Sequence, residues 1–359
     1  MNLIKAKKCA APLLALAVAV AVSLAACVGQ SSPEASPPPE DRRVFTDSAG
    51  REVELPVNIT RIAPSGALAQ MFLIAVAPDM LVSKASEYSE EDRKYIPDAV
   101  ADLPVIGQFY GSDNLNLETI ASINPDVVID VGEPKGTIVE DMDGITQVTA
   151  IPAIHITADL RSAPQAFRAL GELLGREESG EALAAFCERA LALTDDIMAR
   201  VGDDKVSALY CLGDAGLNVL ARTSFHSEVL DYLTDNLAVV DGPSSKGSGN
   251  ETDLEQISVW DPDVIIFAPD SVYDDVAGDP TWSELRAVSG GSFYKTPSGP
   301  YNWMGSPPSI NRYAGMLWLA SALYPEYAEF ELYDEIREYY SLFYGFELSR
   351  DEFDALLSA

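Results

Sequence analysis

Asn116-Leu117-Glu118-Thr119-Ile120-Ala121-Ser122-Ile123-Asn124-Pro125-Asp126-Val127-Val128-Ile129 has a second copy further along the chain. That copy is Asp253-Leu254-Glu255-Gln256-Ile257-Ser258-Val259-Trp260-Asp261-Pro262-Asp263-Val264-Ile265-Ile266, aligned without a gap. Each copy reads as a turn, a short helix and a strand. Asn or Asp caps the helix, Glu sits in its first turn, and Leu and Ile face inward. Pro-Asp breaks the helix, and a continuous β-branched run follows, as expected of a strand buried on both faces. The copies lie too far apart for a solenoid. They imply two similar α/β lobes with a cleft between them.

Working outward, 359 residues suffice for two domains with proper cores. The formal net charge of −32 is spread over the whole body and opposes binding to nucleic acid. It suits solubility at a cell surface or in a salty medium, or else a role in attracting cations.

The N-terminus reads as a targeting segment. Lys5, Lys7 and Lys8 precede an apolar run over residues 10–26, which ends in Leu24-Ala25-Ala26-Cys27. The run is short and Ala-rich for a membrane span. The order of parts resembles a bacterial lipoprotein signal peptide, which implies cleavage after residue 26 and lipidation of Cys27. Residues 27–43, rich in Ser, Pro and Glu, read as a flexible tether. The other cysteines of the mature chain are Cys187, in a predicted long helix, and Cys211, at the end of the next strand. Both lie about 20 Å from the turn between them. A disulfide and two buried free thiols both fit.

Residues 44–162 read as a first lobe. It comprises a hairpin over 43–56 turning at Asp47-Ser48-Ala49-Gly50, a strand at Arg61-Ile62-Ala63, the turn Pro64-Ser65-Gly66, and an apolar helix Ala67–Val76. Short strands follow at Leu81-Val82 and Val105-Ile106-Gly107, then the first repeat copy and a strand over 151–156. Strands alternating with helices at this spacing predict a mainly parallel sheet. Residues 163–201 are helical with a break at Gly175, and apolar residues recur at helical spacing over 178–200. This segment reads as the connector. The second lobe, 202–359, opens with a strand over 206–211. It contains the second repeat copy, a Pro- and aromatic-rich loop over 297–308, and a helical end.

These features together resemble the periplasmic-binding-protein family of ABC importers for iron-siderophores, haem and cobalamin. The resemblance rests on Asp47-Ser48-Ala49-Gly50-Arg51-Glu52-Val53-Glu54-Leu55-Pro56, the strand ending in Pro64-Ser65, and both repeat copies. The run Trp303-Met304-Gly305-Ser306-Pro307-Pro308-Ser309-Ile310-Asn311-Arg312, with Gly315-Met316-Leu317-Trp318-Leu319-Ala320, resembles a branch that includes molybdate- and tungstate-binding members. The resemblance implies an α/β fold of two Rossmann-like lobes with mainly parallel sheets, joined by one long helix. It also implies docking of Glu118 and Glu255 into the permease. Their bland alternative is helix capping, because a carboxylate in a first turn is favoured by the helix dipole.

Open α/β sheets bind ligands at the carboxyl ends of their strands. The candidate ligand residues are therefore Ser65, Tyr110 and Lys135 in the first lobe. In the second lobe they are Arg222, Tyr273, Tyr301 and Trp303. Helix N-termini with Lys or Arg suit an anionic group, and aromatic walls suit a bulky chelate. Each has a plain alternative: packing for the aromatics, solvation for Lys135. His155 reads as core and His226 as surface. With two histidines in the chain, a bare transition-metal site built on several imidazoles is disfavoured.

No G-x-S-x-G, P-loop, G-x-G-x-x-G after a strand, or H-E-x-x-H occurs, so no catalytic residues are assigned. The expectation is a monomeric, lipid-anchored, extracytoplasmic binding protein, without an intrinsic cofactor, that hands a metal chelate to an ABC permease and its ATPase. The alternatives are a molybdate or tungstate oxyanion-binding protein of the same family and a surface sensor without transport.

Overall fold

The computed structural model describes residues 41–358 apart from Ser245. The expected signal segment, the Cys27 acceptor and residues 27–40 of the tether lie outside the described residues.

The two repeat copies fold alike. Helix Leu117–Ile123 starts on Asn116, whose side chain accepts from the Thr119 amide at 2.9 Å. Helix Leu254–Trp260 starts on Asp253, which accepts from the Gln256 amide at 2.8 Å. Both helices end on a residue in the left-handed region, Asn124 at φ 52° and Asp261 at φ 42°. Short polar side chains tolerate that region best after glycine. The strands that follow, Val127–Gly132 and Val264–Phe267, are buried throughout.

The Pro-Asp carboxylates then do the same job in each lobe. Asp126 Oδ2 accepts the Thr60 and Arg61 amides at 2.7 and 2.9 Å. Asp263 Oδ2 accepts the Ser207 amide at 3.1 Å and its hydroxyl at 2.7 Å. Each thus fixes the start of the neighbouring parallel strand, Ile62–Pro64 in one lobe and Ser207–Leu212 in the other.

The first sheet runs Ile62–Pro64, Val127–Gly132, Ala153–Thr157, all parallel. Single bridges extend it through Leu81 and Val105. In the second, Phe293–Lys295, Val264–Phe267 and Ser207–Leu212 are parallel. Asn218–Val219 and Asn250–Glu251 add an antiparallel edge. The opening hairpin pairs Arg42–Thr46 with Glu52–Pro56. It begins inside the segment expected as tether, because the Arg43 guanidinium is held by the Leu173 carbonyl.

Helix Ala163–Leu174 turns at Gly175, φ 64°, into the 25-residue helix Glu177–Val201. The pair touch through glycines: a Cβ on Gly180 would lie 2.6 Å from the Phe167 carbonyl oxygen and 3.0 Å from Gly171 Cα. One apolar core joins this pair to Ala67–Val76, Asn311–Leu323 and Leu332–Tyr344, and to the inner faces of both sheets. Leu332–Tyr344 packs against Ala67–Val76, so the segment 202–359 does not stay wholly with the second sheet. Strand alternation settles the cysteines. Tyr210 and Leu212 face the long helix and Cys187, whereas Cys211 points into the separate core on the other face. Both thiols are free and buried.

Asp263 is held below the usual carboxylate range, first by the Ser207 hydroxyl and then by Arg286. A carboxyl with a lowered folded value stabilises the fold above its unfolded value of about 4, and that contribution is lost as pH falls through the folded value. Asp263→Ala is expected to cost about 1 kcal/mol at neutral pH, modest because the pair is half exposed. The cost should shrink below about pH 4. Urea midpoints of both proteins across pH 3–7 read this directly, and a pH-independent difference would contradict it.

Candidate functional site

The carboxyl ends of the parallel strands meet across a cavity of about 900 Å³ between the two sheets. Residues 65–69 line one wall, where the strand Ile62–Pro64 turns into helix Ala67–Val76. Gly66 precedes that helix and caps it with no side chain. The turn has little room for one, since a Cβ there would sit 3.0 Å from Gln108 Cβ. The uncapped first-turn amides and the helix dipole direct positive partial charge into the cavity, beside the carboxylates of Asp130 and Glu133 that also line it.

At its floor lies Asp130, 5% exposed. The Ser65 hydroxyl donates to one carboxylate oxygen, and His155 Nδ1 lies 2.6 Å from the other. His155 is fully buried and its Nε2 is 3.1 Å from the Thr157 hydroxyl. The carboxylate stands between serine and imidazole, so Ser65 is not hydrogen-bonded to His155 as in a serine–histidine pair.

Tyr110 donates to Asp141 at 2.8 Å. Burial, then this bond, push its hydroxyl well above the ordinary tyrosine value, so it remains a neutral donor. Lys135 pairs with Glu133 at the rim.

Three expected ligand residues, Ser65, Tyr110 and Lys135, therefore line the cavity. Four do not. Trp303 is 1% exposed and packed in the main core, its indole N–H 3.4 Å from the Tyr340 hydroxyl. Tyr301 crosses to the first lobe, where its hydroxyl takes a bond from Gln70 at 3.0 Å and lies 3.1 Å from the Tyr88 hydroxyl. Tyr273 packs on Phe267 and Phe293, against the core on the far face of the second sheet. Arg222 is spent on its own neighbourhood, donating to the Asn236 carbonyl at 2.6 Å and pairing with Asp235.

The second wall is instead built by Phe225, His226, Asn218 and Lys246, which sequence reasoning did not select. His226 Nδ1 lies 2.8 Å from the Gly305 carbonyl. The Gly247 segment presses against its ring, where a Cβ would come within 3.1 Å. The glycines at 247 and 249, beside Lys246, were the available signal. Glu118 and Glu255 are exposed in the first turns of the equivalent helices. Among the described residues, no three His, Cys, Asp or Glu side chains gather where they could hold a metal ion.

Residues 72–300 match the profile of the family described as periplasmic binding protein. An ABC transporter solute binding protein from Sulfurospirillum deleyianum DSM 6946 superimposes with a TM-score of 0.80 at 29% identity, covering 88% of this chain and 99% of that one. A periplasmic solute binding protein from Veillonella parvula DSM 2008 gives 0.74 at 25% identity, covering 89% and 97%. The Fe(3+)-citrate-binding protein YfmC of Bacillus subtilis (strain 168) is 25% identical over 185 residues. That is 50% of this chain, which spans 56% of the relative's length. The chain belongs to the periplasmic binding protein family, and its relatives are binding proteins rather than enzymes.

Asp130→Ala would leave the Ser65 hydroxyl and the buried His155 N–H without their acceptor. The expected loss is about 1–3 kcal/mol of stability in urea unfolding. Asp130→Asn, which keeps an acceptor, should lose less.

Proposed function

We propose that this solute-binding component of an ABC transporter is lipid-anchored through Cys27, captures an anionic metal chelate outside the membrane and delivers it to the permease. The observation that carries the ligand class is the cavity. Its volume of about 900 Å³ is at the upper end of what small organic ligands occupy, and far exceeds what a bare oxyanion needs. Anion recognition is supported by the uncapped helix at Gly66 and by Lys135 and Lys246. A metal ion entering here would have to bring its own ligands, because the nearby carboxylates are dispersed or already engaged. The iron-citrate relative supports the same class.

For delivery, the two equivalent carboxylates Glu118 and Glu255 are the proposed contacts. They stand exposed on matching helices of the two lobes and would report lobe spacing to a partner. Segments 27–43, 44–162, 163–201 and 202–359 are then proposed to act as tether, first lobe, connector and second lobe, with the last tether residues drawn into the strand Arg42–Thr46, in a protein that works as a monomer.

Ferric citrate at about 100 times its Kd should add about 2.7 kcal/mol of stability in a thermal-shift assay on refolded, ligand-free protein. Lys135→Glu or Lys246→Glu should weaken it about tenfold. A shift with molybdate or tungstate alone would replace the chelate by an oxyanion held at the Gly66 turn. No shift with ferric, haem, cobalamin or oxyanion probes would sink the uptake reading. In reconstituted vesicles, Glu118→Ala with Glu255→Ala should keep chelate binding and abolish stimulation of the transporter's ATPase. Unchanged stimulation would leave these residues as helix caps, and a protein that binds chelate but engages no transporter would be a sensor.

A further inference from the structure

A second cavity of about 430 Å³ adjoins the first. The two linings share two residues, Glu133 from the first lobe and Phe225 from the second. Glu133 and Phe225 therefore stand where the two cavities meet. The second chamber's own polar groups are engaged with the protein. Glu228 pairs with Arg312 and accepts the Leu160 amide at 3.3 Å. Asp231 accepts from the Thr223 amide, the Ser227 hydroxyl and Asn236 at 2.7–2.8 Å. Arg161 is bidentate to Asp195 at 2.7 and 2.8 Å.

Phe225 is not a loose loop aromatic. It opens a turn capped by Ser224, and Arg312, itself 3% exposed, braces it from behind. The guanidinium carbon lies 4.7 Å from the ring centroid, and a guanidinium N–H donates to the Phe225 carbonyl at 3.3 Å. A buried cation held against an aromatic face fixes the ring more firmly than apolar contact alone. Glu133, opposite, is tied to Lys135 at the rim and is half exposed. On one side of this junction Phe225 is braced, and on the other Glu133 is held only at the surface.

We propose that Phe225 determines ligand size: its ring ends the main chamber and restricts the site to compact chelates, and the second chamber is the space a longer chelate would need. This rests on the chelate reading above. Its physical basis is steric, since a ring-sized change in a pocket wall alters discrimination by a factor of ten or more.

The test uses the full folded protein with ferric citrate as the compact probe and ferrioxamine B, a linear ferric trihydroxamate, as the long one. Affinities are measured by titration calorimetry for wild type, Phe225→Leu, Phe225→Ala and Phe225→Trp. Selectivity for the long chelate over the compact one should rise about tenfold in Phe225→Ala, rise less in Phe225→Leu, and fall in Phe225→Trp. Opposite signs for a smaller and a larger side chain are something general destabilisation does not produce. Should Phe225→Ala fail to fold, the Leu and Trp variants still give the two signs. A selectivity unchanged across folded variants that bind citrate overturns the size role and leaves the chelate reading intact. A wild type that binds neither probe, nor any other chelate, overturns both together.

Discussion

The two sheets share one apolar core, and the rest of the molecule follows from that. The core runs from Leu55 and Phe72 through Phe167, Phe186 and Tyr210 to Leu317 and Phe343. The long helix alone would be a thin connection. It is thickened by the Ala163–Leu174 helix on one side and by Asn311–Leu323 and Leu332–Tyr344 on the other. Polar bolts reinforce the junction. Gln70 and Tyr88 hold Tyr301, Tyr313 donates to the Leu160 carbonyl at 2.7 Å, and Ser309 donates to the Leu68 carbonyl at 3.2 Å. Rotating the lobes apart would expose apolar surface and strand these groups, both unfavourable. Opening the cleft therefore works against these contacts.

The cleft walls use backbone and small residues where the sequence offers charge elsewhere. The protein is strongly acidic, yet the first-lobe wall is a helix end with amides uncovered, and the floor carboxylate Asp130 is engaged by Ser65 and His155. The surface acids favour solubility, and two of them, Glu133 and Asp270, also line the cavity. The same economy appears in the repeat. One Pro-Asp pair ends a helix, starts a buried strand and clamps its neighbour in each lobe.

The aromatic residues divided in a way that composition cannot foresee. Tyr301 and Trp303 sit in a loop rich in Pro and aromatics, and Tyr273 follows a strand end, so each had the right address for a ligand contact. In the structure all three serve packing, because the second lobe must be sealed against helices that arrive from distant parts of the chain. Phe225 and His226 had weaker credentials and hold the cleft wall. Their side chains are aimed there by Arg312 and the Gly305 carbonyl, partners about 80 residues away.

What the sequence determined by itself was everything local or periodic. It set the paired helix-strand units, their caps at Asn116 and Asp253, the parallel sheets, the helix from Ala67 to Val76 and the long connecting helix. It also placed Ser65, Tyr110 and Lys135 at strand ends facing the cleft. These depend on neighbours within a few residues, where capping, period and turn chemistry act. Tertiary structure alone decided that Cys187 and Cys211 face opposite sides of a sheet, that Arg222 is consumed by Asp235, and that two chambers meet at Phe225. Each of those turns on the direction of a side chain relative to an element far along the chain, and that direction is set by how the shared core closes.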